Sequence, residues 1–555
     1  MIIGLDGATF DLIDPWIKEG ILPNIQKLLN KGARARLRST IQPVTAPAWT
    51  TMLTGVNQGK HGLYDFVHRR EGDYGIEITN ASDIHAPNIF SIASHYKKKV
   101  IAINIPYTFP PHPVYGIMIG GPFAPAVTPQ LTYPVTFYET LMEISPNYFV
   151  MPEYDARHPN PLDDYAKTLT SDFDVRLQLC SYLLRHEQWD IFMVVFMAID
   201  EAQHAFWHFH ETSTNDDNGA FKHTIRDIYR KADETIGALI DLLDQSPEQR
   251  PTNIVLVSDH GGGALHAIIN LNQWLAEEKF LYFLSSKKGL LKILFSKFVS
   301  NATSAYRQYM PVKLRAYLRN HLKSDDFDFI KGQIETVLYA STVDWRKTQL
   351  YALGSGGNLF VNLKGREPMG IVEPGEEYNK IIKKAIHSLK NLQDPENGKS
   401  IVRNIYRREE LYTGPYLEQA PDLVIEWADY GYWGRGRYDS QAPLFEKSSH
   451  MEFTTLPLTG AHRPDGIFIA SGPSIKPLDI KSTSITNIAP TLLNLINIPP
   501  SSFMDGSPLT NIFKPEAYKQ ITERINNQEF SLDSYKFTEE EEQIITDHLR
   551  ALGYL

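Results

Sequence analysis

Six side chains of metal-ligating type stand where this chain leaves, or approaches, short apolar runs. Asp6 follows Ile2-Ile-Gly-Leu5. Asp200 and His204, four residues apart, follow the run 191–199. Asp259 and His260 follow Ile254-Val-Leu-Val-Ser258, and His462 comes just before the run 467–470. An i, i+4 spacing puts Asp200 and His204 on one face of a helix or turn. Mixed carboxylate and imidazole donors suit zinc or manganese better than calcium or magnesium, which prefer all-oxygen shells. Six such groups exceed the needs of one four-coordinate ion. They suit two ions about 4 Å apart, an arrangement that hydrolyses phosphate esters. Taken alone, Asp259-His260 before Gly261-Gly-Gly263 also reads as a plain turn, with the glycines supplying a sharp bend.

A nucleophile should lie near both ions, and Thr45 in Ile41-Gln-Pro-Val-Thr45-Ala-Pro47-Ala-Trp49 is the candidate. It precedes a helix-like segment, where backbone amides and the local dipole favour an anion such as phosphate. A bound metal lowers a hydroxyl pKa, so a neighbouring histidine base is not required. The same position equally suits an N-cap.

The elements that must position these groups alternate. Strands are expected at 2–5, 100–105, 191–199, 254–257, 421–427 and 467–470, with helices around 21–30 and 221–243 and a last helix over 539–552. Apolar strands separated by helices predict a doubly wound α/β sheet covered on both faces. The expected division is a catalytic core in two parts, 1–270 and 346–515, a basic helical lid or cap at 271–345, and a tail with a docking helix at 516–555. The cap carries Lys287, Lys288, Lys292, Lys297, Arg307, Lys313, Arg315, Arg319 and Lys323 with no acidic residue between 281 and 324. Its segment 287–299 reads as a helix with a solvated basic face; membrane-surface contact or steering of an anionic substrate is the alternative.

With 555 residues, 42% hydrophobic and 22% charged, the composition is that of an ordinary globular protein. A net charge of −10 argues against a general nucleic-acid binder, which needs a basic face. The single cysteine, Cys180, fits a reducing compartment. The opening Met1-Ile-Ile-Gly-Leu-Asp-Gly7 lacks the form of a secretion signal, and no apolar run is long enough to span a bilayer. The resulting expectation is a cytoplasmic protein. Oligomeric state is left open.

Asp6, Thr45-Ala-Pro47, Thr54-Gly55, His61-Gly62, Asp200-x-x-x-His204, Asp259-His260-Gly261 and Gly460-Ala-His462 occur in one order from residue 6 to 462. That order resembles the alkaline phosphatase superfamily, in particular its type I phosphodiesterase/nucleotide pyrophosphatase branch. The resemblance implies a three-layer α/β/α sandwich and hydrolysis of small-molecule phosphoesters, phosphodiesters or nucleotide-type pyrophosphates. It implies one metal held by Asp200, His204 and His462, and a second held by Asp6, Asp259 and His260. Thr45 would bridge to the second metal and pass through a phospho-threonine, with zinc as the expected ion and manganese as its rival. Alternatives within reach of the same cradle are a head-group transferase acting on lipid or glycan, and a phosphomutase. The resemblance departs at one point: nucleotide pyrophosphatases carry an Asn beyond the nucleophile that helps hold the phosphoryl oxygen. Close behind Thr45 this chain has Ala46, Pro47, Ala48 and Trp49, so that donor must come from elsewhere.

Nearby residues take plainer readings. His208 and His210 belong to an aromatic cluster with Phe206, Trp207 and Phe209; His61 is structural; Arg463 forms an ordinary salt bridge; Asp344-Trp345 is structural; Glu201 faces solvent.

Overall fold

The computed structural model describes residues 1–70, 72–156, 158–212, 219–245, 251–284, 342–447, 456–515, 517, 534–552 and 554. The basic segment from Lys287 to Lys323, including the helix expected at 287–299, lies outside them.

Runs of apolar residues build the centre. Strands β1 (Ile2–Leu5), β2 (Ala33–Arg38), β3 (Val100–Ile105), β4 (Gly116–Gly120), β5 (Thr132–Tyr133), β6 (Ile191–Phe196), β7 (Ile254–Val257), β8 (Asp465–Ser471) and β9 (Leu478–Ser484) form one sheet in the order β9-β2-β8-β7-β1-β6-β3-β4-β5. The middle is parallel: β1 pairs with β6 and β7, and β3 pairs with β6 and β4. Strand β8 runs antiparallel between β7 and β2.

Alternation along each strand sends side chains to two cores. Ile3, Leu5, Phe192, Val194, Phe196 and Leu256 join one cluster, while Ile2, Ile191, Met193, Val195, Val255 and Val257 join another. Helices α1 (Phe10–Lys18), α2 (Pro23–Lys31), α4 (Pro161–His186), α5 (Ala198–Thr212), α6 (Thr224–Asp244) and α8 (Glu539–Ala551) cover the first face. Helices α3 (Thr45–Thr54) and α7 (Ile488–Leu495) cover the second. The fold is the three-layer α/β/α sandwich expected from the sequence.

A third core is separate. It draws on Tyr74 and on residues from Ala267 to Tyr438, and it encloses two four-stranded sheets. The chain rejoins the central sheet at Asp465. Among the described residues no helix is long and apolar enough to cross a membrane.

The sequence reading needs correction at three places. The strand at 191 stops at Phe196, so Asp200 lies in the first turn of α5 rather than at the strand's end. Gly261, Gly262 and Gly263 do not bend the chain. They belong to the strand Gly261–Ala264, paired antiparallel with Gly460–Arg463, and they make room: a Cβ at 262 would meet Gln203 Oε1 at 2.4 Å and one at 261 the Asp465 carbonyl at 2.4 Å. Glu201 is 1% exposed and buried against α4, where the Tyr165 hydroxyl donates to it at 2.5 Å. Burial holds its carboxyl up at about 7.

Candidate active site

Three neighbouring parallel strands deliver the carboxylates. Asp6 follows β1, Asp200 opens the helix after β6, and Asp259 follows β7, so all three stand at the carboxyl ends of adjacent strands, the usual ligand crevice of an open α/β sheet. Gly7 makes this approach feasible: it adopts φ +69°, and a Cβ there would lie 2.6 Å from Asp200 Oδ1. His204 sits one turn after Asp200, its Nε2 3.2 Å from Asp200 Oδ2. The strand Gly460–Arg463 brings His462 in from the far end of the chain, its Nε2 3.7 Å from Asp200 Oδ1.

The imidazoles are oriented by backbone. His204 Nδ1 donates to the Gly460 carbonyl (3.0 Å), His462 Nδ1 to the Pro43 carbonyl (2.6 Å) and His260 Nδ1 to the Gly261 carbonyl (3.1 Å). A carbonyl can only accept, so each ring keeps a proton on Nδ1 and turns its Nε2 inward. His204 Nε2 and His462 Nε2 face each other at 2.9 Å, and the His260 and His462 rings stack at 3.7 Å. His260 Nε2 lies 3.3 Å from Asp259 Oδ2 and 3.6 Å from Asp6 Oδ1.

Two triads emerge. Asp6, Asp259 and His260, and likewise Asp200, His260 and His462, bring one ligand atom each within 4.8 Å of one another. The sequence reading placed His204 in the second group. In the structure His260 is common to both triads, and His204 touches Asp200 and His462 beside them.

The donor set fits a cation. Asp6, Asp259, His260 and His462 are fully or almost fully buried, yet Asp6 Oδ1 and both Asp259 oxygens have no hydrogen-bond partner among the described residues. The backbone N–H groups of Gly7, Asp259 and His260 face the Asp259 carboxylate without reaching hydrogen-bond geometry. Burial, with Asp259 and Asp200 close by, pushes Asp6 well above the usual carboxylate range, and burial beside Asp200 does the same to Asp259. Burial also works to raise Asp200, but His204 and His462 hold it well below. Burial would lower His204, and Asp200 reverses this, lifting it to about 9. Three carboxylates and three inward-facing imidazole Nε2 atoms in one dry pocket form a poor core and a good cation cradle.

Thr45 is the first residue of α3 rather than its cap; Val44 takes the cap position. The Thr45 hydroxyl, 2% exposed, comes within 3.4 Å of His260 Nε2. Trp49, one turn on, donates from Nε1 to Asp6 Oδ2 at 2.7 Å and fixes that carboxylate. All seven residues singled out in the sequence (Asp6, Thr45, Asp200, His204, Asp259, His260 and His462) therefore converge.

Other residues settle elsewhere. His61 accepts from Leu63 N–H at Nδ1 and donates from Nε2 to Thr51 Oγ1 (3.0 Å), a buried structural role. His210 packs edge-on against Trp16 and Trp207. The Arg463 guanidinium donates to the carbonyls of Tyr430 and Ala264. Two residues escape the sequence reading. Gln203 fills the space above Gly262 and donates to the Gly7 carbonyl. Tyr554 places its hydroxyl 3.0 Å from His462 Nε2. The signal for Gln203 was its seat between Asp200 and His204, while Tyr554 has none beyond being an aromatic residue after the last helical pattern.

No curated protein matches the chain significantly. Among solved structures, human ectonucleotide pyrophosphatase/phosphodiesterase 5 is similar with 11% identity and a TM-score of 0.45, over 92% of this chain and 98% of that one. The murine protein of the same name gives 10% identity and a TM-score of 0.45, over 92% and 99%. A likeness this loose carries no residue roles across. The family model for type I phosphodiesterase/nucleotide pyrophosphatase matches residues 1–453, which takes in every site residue except His462 and Tyr554. A match over that share of 555 residues places the chain in the type I phosphodiesterase/nucleotide pyrophosphatase family, a family of metal-dependent hydrolases acting on small-molecule phosphoesters.

Proposed function

We propose that this hydrolase cleaves phosphodiesters or nucleotide-type pyrophosphates by way of a phospho-threonine at Thr45, with two divalent cations in the cradle. One would be held by Asp6, Asp259 and His260, the other by Asp200, His204 and His462, with His260 close to both. Three imidazoles among six donors favour zinc over the all-oxygen cations. When bound, the ions offset the charge of the phosphoryl oxygens and lower the pKa of a hydroxyl beside them.

The observation that carries this reading is the approach of the Thr45 hydroxyl to His260 Nε2 at 3.4 Å, at the vertex where Asp6 and Asp259 also converge. The helix start at Thr45 aims the hydroxyl into the crevice, and Trp49 holds Asp6 in place beside it. Thr45 Oγ forms a bond to phosphorus as the bond from phosphorus to the leaving oxygen breaks, and the hydroxyl proton is released. Water then cleaves the Oγ–P bond, restoring the threonine and freeing the second product. The burial of the cradle, with Asp6, Asp259 and His260 wholly covered, keeps other water away.

Acid quenching of the holoenzyme during turnover of bis(4-nitrophenyl) phosphate, followed by peptide mass spectrometry, tests the scheme. A peptide carrying a 4-nitrophenyl phosphoryl group on Thr45 is expected, together with about two divalent ions per chain by elemental analysis. An enzyme that turns over fully after its metals have been removed would falsify it.

A further inference from the structure

Tyr554, second from the end of the sequence, enters the cradle from a direction that no motif foretells. Its phenol oxygen stands 3.0 Å from His462 Nε2 and 3.4 Å from His204 Nε2, and it also interacts with the side chain of Thr45. The oxygen thus lies beside the nucleophile and two of the imidazoles. The ring is 4% exposed, with Phe66 at 4.5 Å and Trp433 at 5.9 Å between centroids.

The approach is held firmly. Helix α8 starts at a capping box on Thr538 and buries Ile545 and Leu549, followed by Leu552, in the same core as the central sheet. Before it, the Tyr535 backbone bonds to Ser82 and Asn80, and Phe537 stacks on Phe109. A segment docked along this length is part of the pocket wall rather than a plug poised to leave.

The chemistry of the cradle gives that hydroxyl a purpose. Among the described residues, the other side chains converging there are three carboxylates and three imidazoles whose Nδ1 protons are used on backbone carbonyls, while the Trp49 Nε1–H is used on Asp6. Thr45 is committed to attack. A phosphoryl oxygen needs a donor, and a neutral phenol O–H supplies one without adding charge.

We propose that Tyr554 is a further catalytic residue of the reaction assigned above, its O–H donating a hydrogen bond to a non-bridging phosphoryl oxygen as Thr45 attacks. The proposal rests on that assignment. The test is Tyr554→Phe in the metal-loaded enzyme, beside wild type and Thr45→Ala, with bis(4-nitrophenyl) phosphate as substrate and orthovanadate as a probe of the five-coordinate phosphorus. The expected result is a fall in kcat of about 10²-fold with KM little changed. Orthovanadate should bind roughly tenfold more weakly, since a transition-state mimic loses the same donor. Metal content and melting temperature should stay at wild-type values. A chain ending at Leu552 should show a loss of kcat at least as large. Unchanged kcat and vanadate affinity in Tyr554→Phe overturn the proposal in favour of simple packing. A rise in kcat overturns it in favour of an inhibitory plug, and loss of metal overturns it in favour of a metal ligand. If Thr45→Ala turns over as wild type does, the fault lies with the underlying function instead; if Thr45→Ala is dead while Tyr554→Phe is fully active, only the role of Tyr554 fails.

Discussion

Two buried carboxylates show what distinguishes the cradle from the rest of the molecule. Asp65, 5% exposed, joins the main core to the smaller sheets and is surrounded by donors: the Phe66 and Ser355 amides at 2.7 Å each, the Ser355 hydroxyl at 2.9 Å and the Asn358 amide at 3.3 Å. Asp259, fully buried, has no hydrogen-bond partner on either oxygen among the described residues. The protein solvates the first charge itself and leaves the second for a ligand to solvate. Burial lifts Asp65 to about 6, with Ser355 and Phe66 pulling it back; Asp259 is pushed well above its ordinary range. A buried charge with its donors in place is architecture, and one without them marks a site.

That contrast can be broken in four ways. Stripping the metal with a chelator should remove about 4 kcal/mol of stability if the ion is present at a thousand times its dissociation constant, and calorimetry with and without chelator reads the change. Asp65→Ala should cost about 3 kcal/mol, because its donors are left buried and unpaired, while metal content stays intact. Denaturant titration with elemental analysis separates the two effects, and metal loss in this variant would blur the distinction between the regions.

The third concerns pH. Asp65 holds its proton up to about 6 when folded, against 3.8 as the ordinary value. The folded state therefore binds more protons between those values. Its contribution to stability is full below about pH 4 and is lost as pH rises toward 6, by on the order of 2 kcal/mol. Asp65→Asn should flatten that part of the stability profile, and an unchanged slope counts against the assignment. The smallest effect is the sharpest in sign. Asp259→Asn should stabilise the metal-free protein by about 1 kcal/mol, since the cost of burying an ionisable carboxyl disappears, while weakening metal binding. Destabilisation of the metal-free form would show that Asp259 is solvated by the protein after all.

The sequence revealed what local patterns can carry. Strands at 2–5, 100–105 and 254–257 are largely apolar runs, and the structure places them at those residues. Asp200 and His204 were legible because helical spacing is itself geometry. What failed depends on packing between distant segments. Glu201 was misread because nothing in its own helix shows that Tyr165 of α4 covers it. The glycine triplet was misread as a bend because only the neighbouring strand Gly460–Arg463 and the Gln203 side chain explain the need for space. Tyr554 lies 350 positions from His204, and no periodicity spans that distance.

The central claim is that Thr45 attacks phosphorus from within a metal cradle built by Asp6, Asp200, His204, Asp259, His260 and His462. Turnover of bis(4-nitrophenyl) phosphate by Thr45→Ala, with metal content measured on the same sample, tests it most directly. The account predicts a loss on the order of 10³-fold or more with metals retained. Wild-type turnover with the metals still bound would contradict it.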